Sequence, residues 1–345
     1  MANINREDVV FYLSTATTES PYGTADAVDR QIIPDGAPLP MHVPTIDTNE
    51  SQATGSEGPT ESQLLMELYR WSPTIKYVHA DDVAIFLSLV CGAPSSEAAD
   101  TSAFLHEFSL SSSHTLPSCS LEYYKATGVQ RLLAGGACGQ LGMNFTANQF
   151  ASLSPQMYFA SDAAGVGSAA LTAETAVMNG ANYTMSIGAA AEGTFTPGLG
   201  ADDITSPADI SADFVSLEYT ITPFTDPRSA MFDARSTAPV MAERGPYGLR
   251  LRLTIETDDQ TEIDYILDQD DKALEFEWDS GVLAGAATQN YGLQFVFPQV
   301  RFMAHGDSWD QNGRLRQAFD LMLFEDATLG RMQAAVWNKT EAYFA

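Results

Sequence analysis

Apolar and polar side chains alternate with a period of two over much of the second half of the chain. From Leu249 to Glu256, every odd position holds leucine or isoleucine and every even position holds arginine, threonine or glutamate. The same alternation occurs at residues 217–221, 274–278, 293–297 and 319–323. Successive side chains of a strand point to opposite faces, so each segment predicts a strand with one face against a core. Asn312-Gly313 predicts a hairpin turn between the last two long strands.

Three segments carry helical signals. Asp81-Asp82 precedes the apolar run at residues 83–87 and Gly92 follows it, which predicts a short helix with acids at its positive end. Residues 262–267 predict a second short helix. Residues 60–63, Thr-Glu-Ser-Gln, have capping-box spacing and precede apolar residues at 64, 65, 68 and 71, which predicts a third. These signals, with the strands, predict a mainly β protein with a few short helices.

The strongly negative charge of the chain argues against binding to nucleic acid. The 345 residues contain 45 acids and 17 bases, a formal net charge of −28, and no Lys or Arg lies between Arg131 and Arg228. Phosphate binding requires clustered cations, so this chain should repel DNA. Such repulsion is useful where DNA must slide without sticking, and acidity that only keeps a protein soluble is the simpler alternative.

Cysteines and the N-terminal residues bear on the compartment. The three cysteines, Cys91, Cys119 and Cys138, have no disulfide-framework spacing, which favours a reducing compartment. The N-terminus has no basic region followed by an apolar stretch, so we expect no secretory signal. The longest apolar run is far shorter than the ~20 residues that span a bilayer.

No candidate constellation predicts a catalytic, cofactor-binding or metal-binding residue. His106, His114, Cys119 and Cys138 could be grouped as zinc ligands, but their spacing matches no compact ligand pair. A nucleophile elbow is missing, and His114 follows three serines in what we interpret as a polar loop. We therefore expect no enzyme, with a metal-dependent hydrolase that uses His106 and His114 as the enzymatic alternative.

Two further motifs have structural interpretations. The glycine-rich run 136–142 lacks P-loop and dinucleotide-fold spacing and predicts a bent strand or loop. Residues 268–271 and 307–313 resemble fragments of calcium loops, but each lacks the sixth-position glycine and the closing glutamate. We interpret both as solvated acidic turns.

The halves of the chain resemble each other in the order of their elements. Residues 121–136 and 291–306 align without a gap, which matches Arg131 with Arg301, Ala134 with Ala304 and Gly136 with Gly306. Each segment follows a short helix and precedes a further strand hairpin. The order predicts a duplicated β domain, with residues 1–212 as the first domain and 213–345 as the second. Residues 162–212, rich in Ala, Gly, Ser and Thr, predict a loop, linker or insertion.

Residues 215–338 resemble the major tail tube proteins of long-tailed, siphovirus-type bacteriophages. The resemblance lies in the order of a loop ending near Pro239-Val240, a strand at 248–255, a short helix at 263–267, and strands at 273–278, 293–302 and 315–324. Residues 24–40 and 123–132 resemble the first half of the family pattern more weakly. The loop 94–118 and the stretch 162–212 depart from that pattern.

The resemblance implies duplicated tail-tube-type β-sandwich or barrel domains, each flanked by a helix. It implies a virion protein, made in the host cytoplasm, whose rings stack into the hollow tail tube. The implied partners are further copies of the chain, as a homotrimeric pseudo-hexameric ring or a homohexamer, the tape measure protein inside the tube, and the tail terminator and tail-tip proteins. DNA would pass through without specific binding, and no cofactor or membrane is implied. Glu275 and Glu277, on the polar faces of alternating strands, are candidates to face the lumen.

A binding module is the main alternative function. A β-sandwich or a tail-tip component could recognise a surface ligand, with Trp309 and Tyr291 on the binding face. Packing in a core or an interface is the structural alternative for both aromatics.

Overall fold

The computed structural model describes residues 9–36, 38–49, 61–110, 113, 115–125, 130–165, 176–191, 194–200, 203–227, 231, 243–256, 261–286, 288–310 and 313–344. The elements before residue 165 are β1 Val9–Leu13, β2 Arg30–Ile32, β3 Met41–Asn49, β4 Glu61–Trp71, β5 Ile75–Lys76, α1 Ala80–Cys91, β6 Ser95–Ala98, β7 Phe104–Ser109, β8 Cys119–Lys125, β9 Gln130–Thr146, β10 Ser152–Phe159 and β11 Ser161–Ala164. Those after residue 176 are β12 Tyr183–Gly188, β13 Ala190–Ala191, β14 Ile204–Thr205, β15 Ala208–Asp209, β16 Phe214–Thr222, β17 Gly248–Glu256, α2 Thr261–Asp268, β18 Asp271–Leu283, β19 Asn290–Trp309, β20 Leu315–Leu323 and β21 Gln333–Asn338.

The mainly β fold class is confirmed, and so are the strands predicted from alternation. They are β16, β17, β18, β19 and β20. In β17, Leu251, Leu253 and Ile255 are buried while the side chains between them are not. Strands β19 and β20 pair as the predicted hairpin. Asn312 of the predicted turn lies outside the described residues; Gly313 has a positive φ of 77° and its N–H donates to the Asp310 carbonyl.

Two predicted helices are confirmed and one is wrong. Helix α1 begins beside Asp81-Asp82 and ends before Gly92, and α2 matches the segment at 262–267. The capping-box segment at 60–63 instead opens strand β4, which pairs with β3 and β10. The spacing of Leu68 and Trp71 suits either element, and the two strand partners decide for the strand. Within the described residues, neither helix has the length and apolar character that crossing a membrane requires.

Strand pairing repeats along the chain, and every pairing is antiparallel. In the first strand set, β1 pairs with β2 and β8, β8 with β9, β9 with β10 and β11, β10 with β4 and β5, and β4 with β3. In the second strand set, β12 pairs with β15 and β18, β18 with β19, β19 with β20 and β21, β20 with β17, and β17 with β16. Helix α1 and helix α2 follow the corresponding strands β5 and β17.

The predicted division into residues 1–212 and 213–345 stays a prediction. Strands β12 and β15, which lie within the Ala/Gly-rich stretch 162–212, pair with each other and with β18 and so belong to the second strand set. The ungapped match of Arg131 with Arg301 is wrong, because Arg131 lies where β8 and β11 flank β9, whereas Arg301 lies where β18 meets β20.

The two strand sets are joined by strand pairing and by a shared core. Strand β16 pairs with the outer half of β9, and β7, from the first half of the chain, pairs with β21 and carries β6 at its other edge. Aromatic rings from both sets meet: the ring centroid of Phe145 is 4.7 Å from that of Phe276 and 6.1 Å from that of Phe295. The result is one continuous β structure with α1 buried inside it.

Candidate assembly interface

Three of the residues grouped as candidate zinc ligands, His106, Cys119 and Cys138, are buried. Cys119 and Cys138 are free thiols, and burial raises the pKa of Cys138 to about 12. His114 lies outside the described residues. Across the described ranges, no group of three or more His, Cys, Asp or Glu side chains is arranged to hold a metal ion.

His106 belongs to a buried hydrogen-bond network. Its Nε2 lies 2.9 Å from the Thr340 carbonyl oxygen and 3.1 Å from Asn338 Oδ1, and its Nδ1 lies 2.8 Å from Ser96 Oγ. Two acceptors at Nε2 assign the hydrogen to that nitrogen, so Nδ1 accepts from the serine. Burial lowers the pKa of His106, because the charged imidazole would lose its hydration.

The same network continues to the helix. Asn338 Nδ2 donates to Tyr343 Oη at 2.9 Å, Tyr343 Oη donates to Asp81 Oδ1 at 2.5 Å, and Asp81 forms an ion pair with Arg30. These groups connect β2, the start of α1 and the C-terminal residues. The network fastens the end of the chain to the first strand set.

The calcium-like segments are satisfied by basic side chains. Asp270 lies 3.2 Å from Lys272 Nζ, and Asp271 lies 2.7 Å from the Arg301 guanidinium. Asp310 accepts from the Arg314 N–H at 2.8 Å and lies 3.5 Å from the Arg316 guanidinium. Asp270, Asp271 and Asp310 therefore each have a protein partner.

The glycine-rich run 136–142, for which the sequence predicted a bent strand or loop, forms part of strand β9. Gly135, which directly precedes the run, has a φ of +69°. A Cβ on Gly136 would lie 2.5 Å from the Phe159 ring and 2.6 Å from the Cys119 carbonyl oxygen. Glycine is needed here because the two neighbouring elements approach the backbone too closely for any side chain.

Glu275 cannot face a lumen in the way the alternating pattern suggested. It is 3% exposed, because residues 194–200 and 203–205 lie over this face of β18. Its carboxylate accepts from the Asp203 N–H at 3.0 Å and from Gln294 Nε2 at 2.6 Å. Glu277, half-buried, accepts from the Gly200 N–H at 3.1 Å. Both glutamates fix the Ala/Gly-rich segment to the second strand set. Tyr291 is likewise buried, whereas Trp309 is 72% exposed.

The internal seam, which we define as the pairing of β16 with residues 141–146 of β9, has two unlike faces. Its inner face carries three buried cross-strand pairs: Leu217 with Phe145, Tyr219 with Met143, and Ile221 with Leu141. These apolar pairs are the units that stabilise antiparallel sheets. Its outer face is polar and open to solvent.

A polar row crosses five neighbouring strands on that outer face. The cross-strand neighbours, from β10 to β20, are Ser152, Asn144, Glu218, Arg252 and Asp320. None of them is buried. The row crosses the internal seam, so both strand sets share one solvent-facing polar surface.

One end of the internal seam has a small apolar cap. Phe224, which follows β16, lies with its ring centroid 6.0 Å from that of Tyr158 on β10. Phe224 and Met231 form a buried cluster with Leu68 and Ala137 of the first strand set. Residues that follow β16 therefore cover an apolar patch of the first strand set.

Among the strand edges of the described chain that have no pairing partner, two lie at the ends of the sheet that crosses the internal seam. Residues 302–309 of β19 pair with β20 on one side, while β18 pairs with β19 only as far as Arg301 on the other. Strand β3 pairs with β4 alone among the described residues. Exposed apolar side chains mark both places: Met303 and Trp309 on β19, and Met41 at the start of β3 with Leu39 just before it. Unpaired strand edges favour association with another chain.

The chain has low similarity to known proteins. No protein-family model and no curated protein matches the chain. Fifteen chains of solved structures match, among them a mutant form of the Hcp1 protein from the E. coli EAEC 042 pathovar, at 11% sequence identity. That match covers 44% of this chain and 96% of the Hcp1 chain, with a TM-score of 0.25. A score of this size is too low to establish a shared fold.

Proposed function

We propose that this chain is a structural protein that self-assembles into rings, and that the rings stack into the hollow tail tube of a long-tailed bacteriophage. One observation carries the proposal: a single antiparallel sheet runs through both strand sets and is open at both ends. In order across the sheet its strands are β3, β4 with β5, β10, β9, β16, β17, β20 and β19.

A repeated unit joined edge to edge favours a ring. The internal seam adds the second strand set to the first with a fixed rotation, and further copies can extend the sheet in the same direction. Heterologous contacts of this kind close into rings when the rotation allows it. Because β4 and β5 share one position beside β10, each chain fills eight strand positions, and three chains would give six strand sets and 3 × 8 = 24 positions around a pore. At a strand spacing of about 4.8 Å and tilts up to about 40°, such a barrel is about 37–48 Å across.

The polar row supports a lumen that does not bind DNA. It would line the barrel, replacing Glu275 and Glu277 as the lumen-facing candidates. Three chains carry a formal charge of 3 × −28 = −84, which repels phosphates and lets a genome pass without specific binding. In this proposal the partners are further copies, a tape measure protein inside the tube, and terminator and tip proteins at its ends. The protein is then a virion component, not an enzyme, and needs no cofactor or membrane.

Mass measurement and imaging of the purified full-length protein test the proposal. We expect light scattering to give about 112 kDa (3 × 37.2 kDa) or its multiples, and negative-stain images to show rings or tubes. We expect tubes about 100 Å wide, allowing for the barrel, an outer sheet and helices. A protein that stays at 37.2 kDa at high concentration overturns the proposal. Binding on a glycan array without assembly would favour the surface-ligand alternative.

A further inference from the structure

The long strands β9 and β19 occupy the same position in the two strand sets but have different neighbours. On one side, β9 pairs with β11 and then β10, and β19 pairs with β21 and then β20. On the other side, β9 pairs with β8 and then β16, whereas β19 pairs with β18 and then with no strand of the described chain. Residues 302–309 of β19 thus lack the neighbour that residues 141–146 of β9 have.

The segment that corresponds to β16 in the first strand set lies at the opposite edge of the sheet. Pro34 bridges to Ile75 as Phe214 pairs with Ile255. Met41 pairs with Arg70 as Thr220 pairs with Arg250. We call residues 38–43 the edge segment; among the described residues, its strand part pairs with β4 alone.

Exposure of apolar side chains follows the same correspondence. In the first strand set, Tyr158 is half-buried under Phe224, which follows β16. At the corresponding place in the second strand set, Met322 on β20 and Met303 on β19 are 49% and 53% exposed and line a cavity of about 490 Å³. Among the described residues, no counterpart of Phe224 covers this place in the second strand set.

We infer that residues 302–309 of β19 bind the edge segment of a second copy of this chain, antiparallel, as β9 binds β16. Transfer of the internal-seam register places Leu39 opposite Ser308 and Met41 opposite Gly306 of the partner copy. The partner copy then lies along the strand that carries Met303. The inference rests on the proposed ring, for which it supplies the contact between chains, and main-chain hydrogen bonds would provide the binding as in other strand additions.

Disulfide trapping tests the register. The pairs Leu39→Cys with Ser308→Cys, and Met41→Cys with Gly306→Cys, should each give covalent dimers and trimers on a non-reducing gel after mild oxidation. Directly opposite residues have Cβ atoms about 4.5–5.5 Å apart, close enough for a bridge after a small adjustment. The control pair Leu39→Cys with Ser95→Cys uses the exposed edge strand β6 and should remain monomeric on the gel. The native cysteines are buried, and each single variant measures their background.

A charged substitution in the proposed contact between chains distinguishes failure of that contact from failure of the ring. Met303→Asp should lower ring formation at least tenfold at a given protein concentration without changing the thermal unfolding of the monomer. Val282→Asp, at a side chain of similar exposure on the β18 end, should assemble like the unsubstituted chain. If rings form but neither cysteine pair cross-links and Met303→Asp assembles normally, the proposed contact between β19 and the edge segment is wrong, although the ring is correct. A chain that never assembles overturns both.

Discussion

Helices α1 and α2 hold the same place in the two strand sets, yet only α1 is buried all round. Every residue of α1 is buried, because β9 packs on it from its own set and β7, β19 and β21 pack on it from the second set. Helix α2 packs on β19, with the Tyr265 ring centroid 5.5 Å from that of Phe302. Its Leu267 is 72% exposed. Within the described chain, strands of both sets therefore enclose α1, whereas α2 packs on β19 of its own set and keeps a solvent-exposed side.

The two helix sequences match these surroundings. Apart from its first-turn acids and Ser88, α1 is apolar around its whole circumference, as buried helices are. Helix α2 carries Glu262 and Asp264 among its apolar residues, as a helix with a solvated face does.

The largest effect should come from truncating the two helices at matched positions. Phe86→Ala in α1 should lower the free energy of unfolding by about 3–5 kcal/mol, because it leaves a cavity in a closed core. Leu267→Ala in α2 should change it by less than about 0.5 kcal/mol, as exposed substitutions do. Urea unfolding of the monomer, followed by circular dichroism, measures both. Equal losses would show that α2 is as enclosed as α1.

The second-largest change in unfolding free energy should distinguish the two long strands, β9 and β19. Gly136→Ala in β9 should cost about 1–3 kcal/mol, because its Cβ would meet Phe159 and the Cys119 carbonyl oxygen. Gly306→Ala in β19 should be neutral or slightly stabilising, since no atom lies within 4 Å of the added Cβ. The same urea titration compares them. A large loss for Gly306→Ala would mean that the outer half of β19 is already packed in the monomer.

Local patterns predicted the strands and helices, but long-range contacts decided the rest. Residues 249–256 alternate clearly, and β17 formed where they predicted it. Tyr183, Met185 and Ile187 also alternate, and this signal could have identified β12 within the Ala/Gly-rich stretch. Glu275 looked solvent-facing because its strand alternates, but the Asp203 N–H that donates to its carboxylate lies 72 residues earlier in the sequence. Strand edges open to a second copy need a pairing map, which one sequence does not contain.

His106 should give a pH dependence specific to β7, the strand that the first half of the chain contributes to the second set. Its lowered pKa means that the folded chain keeps it neutral while the unfolded chain binds a proton below about pH 6.5. Stability from this group is therefore present above pH 6.5 and is lost as the pH falls towards the folded pKa, by at most about 1.4 kcal/mol per pH unit.

Comparison with the variant His106→Gln isolates the contribution of His106 to the pH dependence of stability. The difference in unfolding free energy between the two proteins should shrink from pH 7 to pH 5.5. Burial raises the pKa of Glu19, which acts in the opposite direction, but Glu19 is present in both proteins and its effect cancels. A difference that stays constant with pH would mean that folding does not lower the pKa of His106.

The smallest effect concerns the polar row, which is neutral in the first strand set and charged in the second. Ser152 and Asn144 lie on one side of the internal seam, and Glu218, Arg252 and Asp320 on the other. Cross-strand charge pairs on an exposed face contribute about 0.2–1 kcal/mol. Arg252→Gln should therefore lower the unfolding free energy by that amount at low salt and by much less near 1 M salt, where the Debye length is about 3 Å. Asn144→Ala, the control in the neutral part of the row, should show no salt dependence. If both variants respond alike to salt, the charges of the row do not interact across β16, β17 and β20.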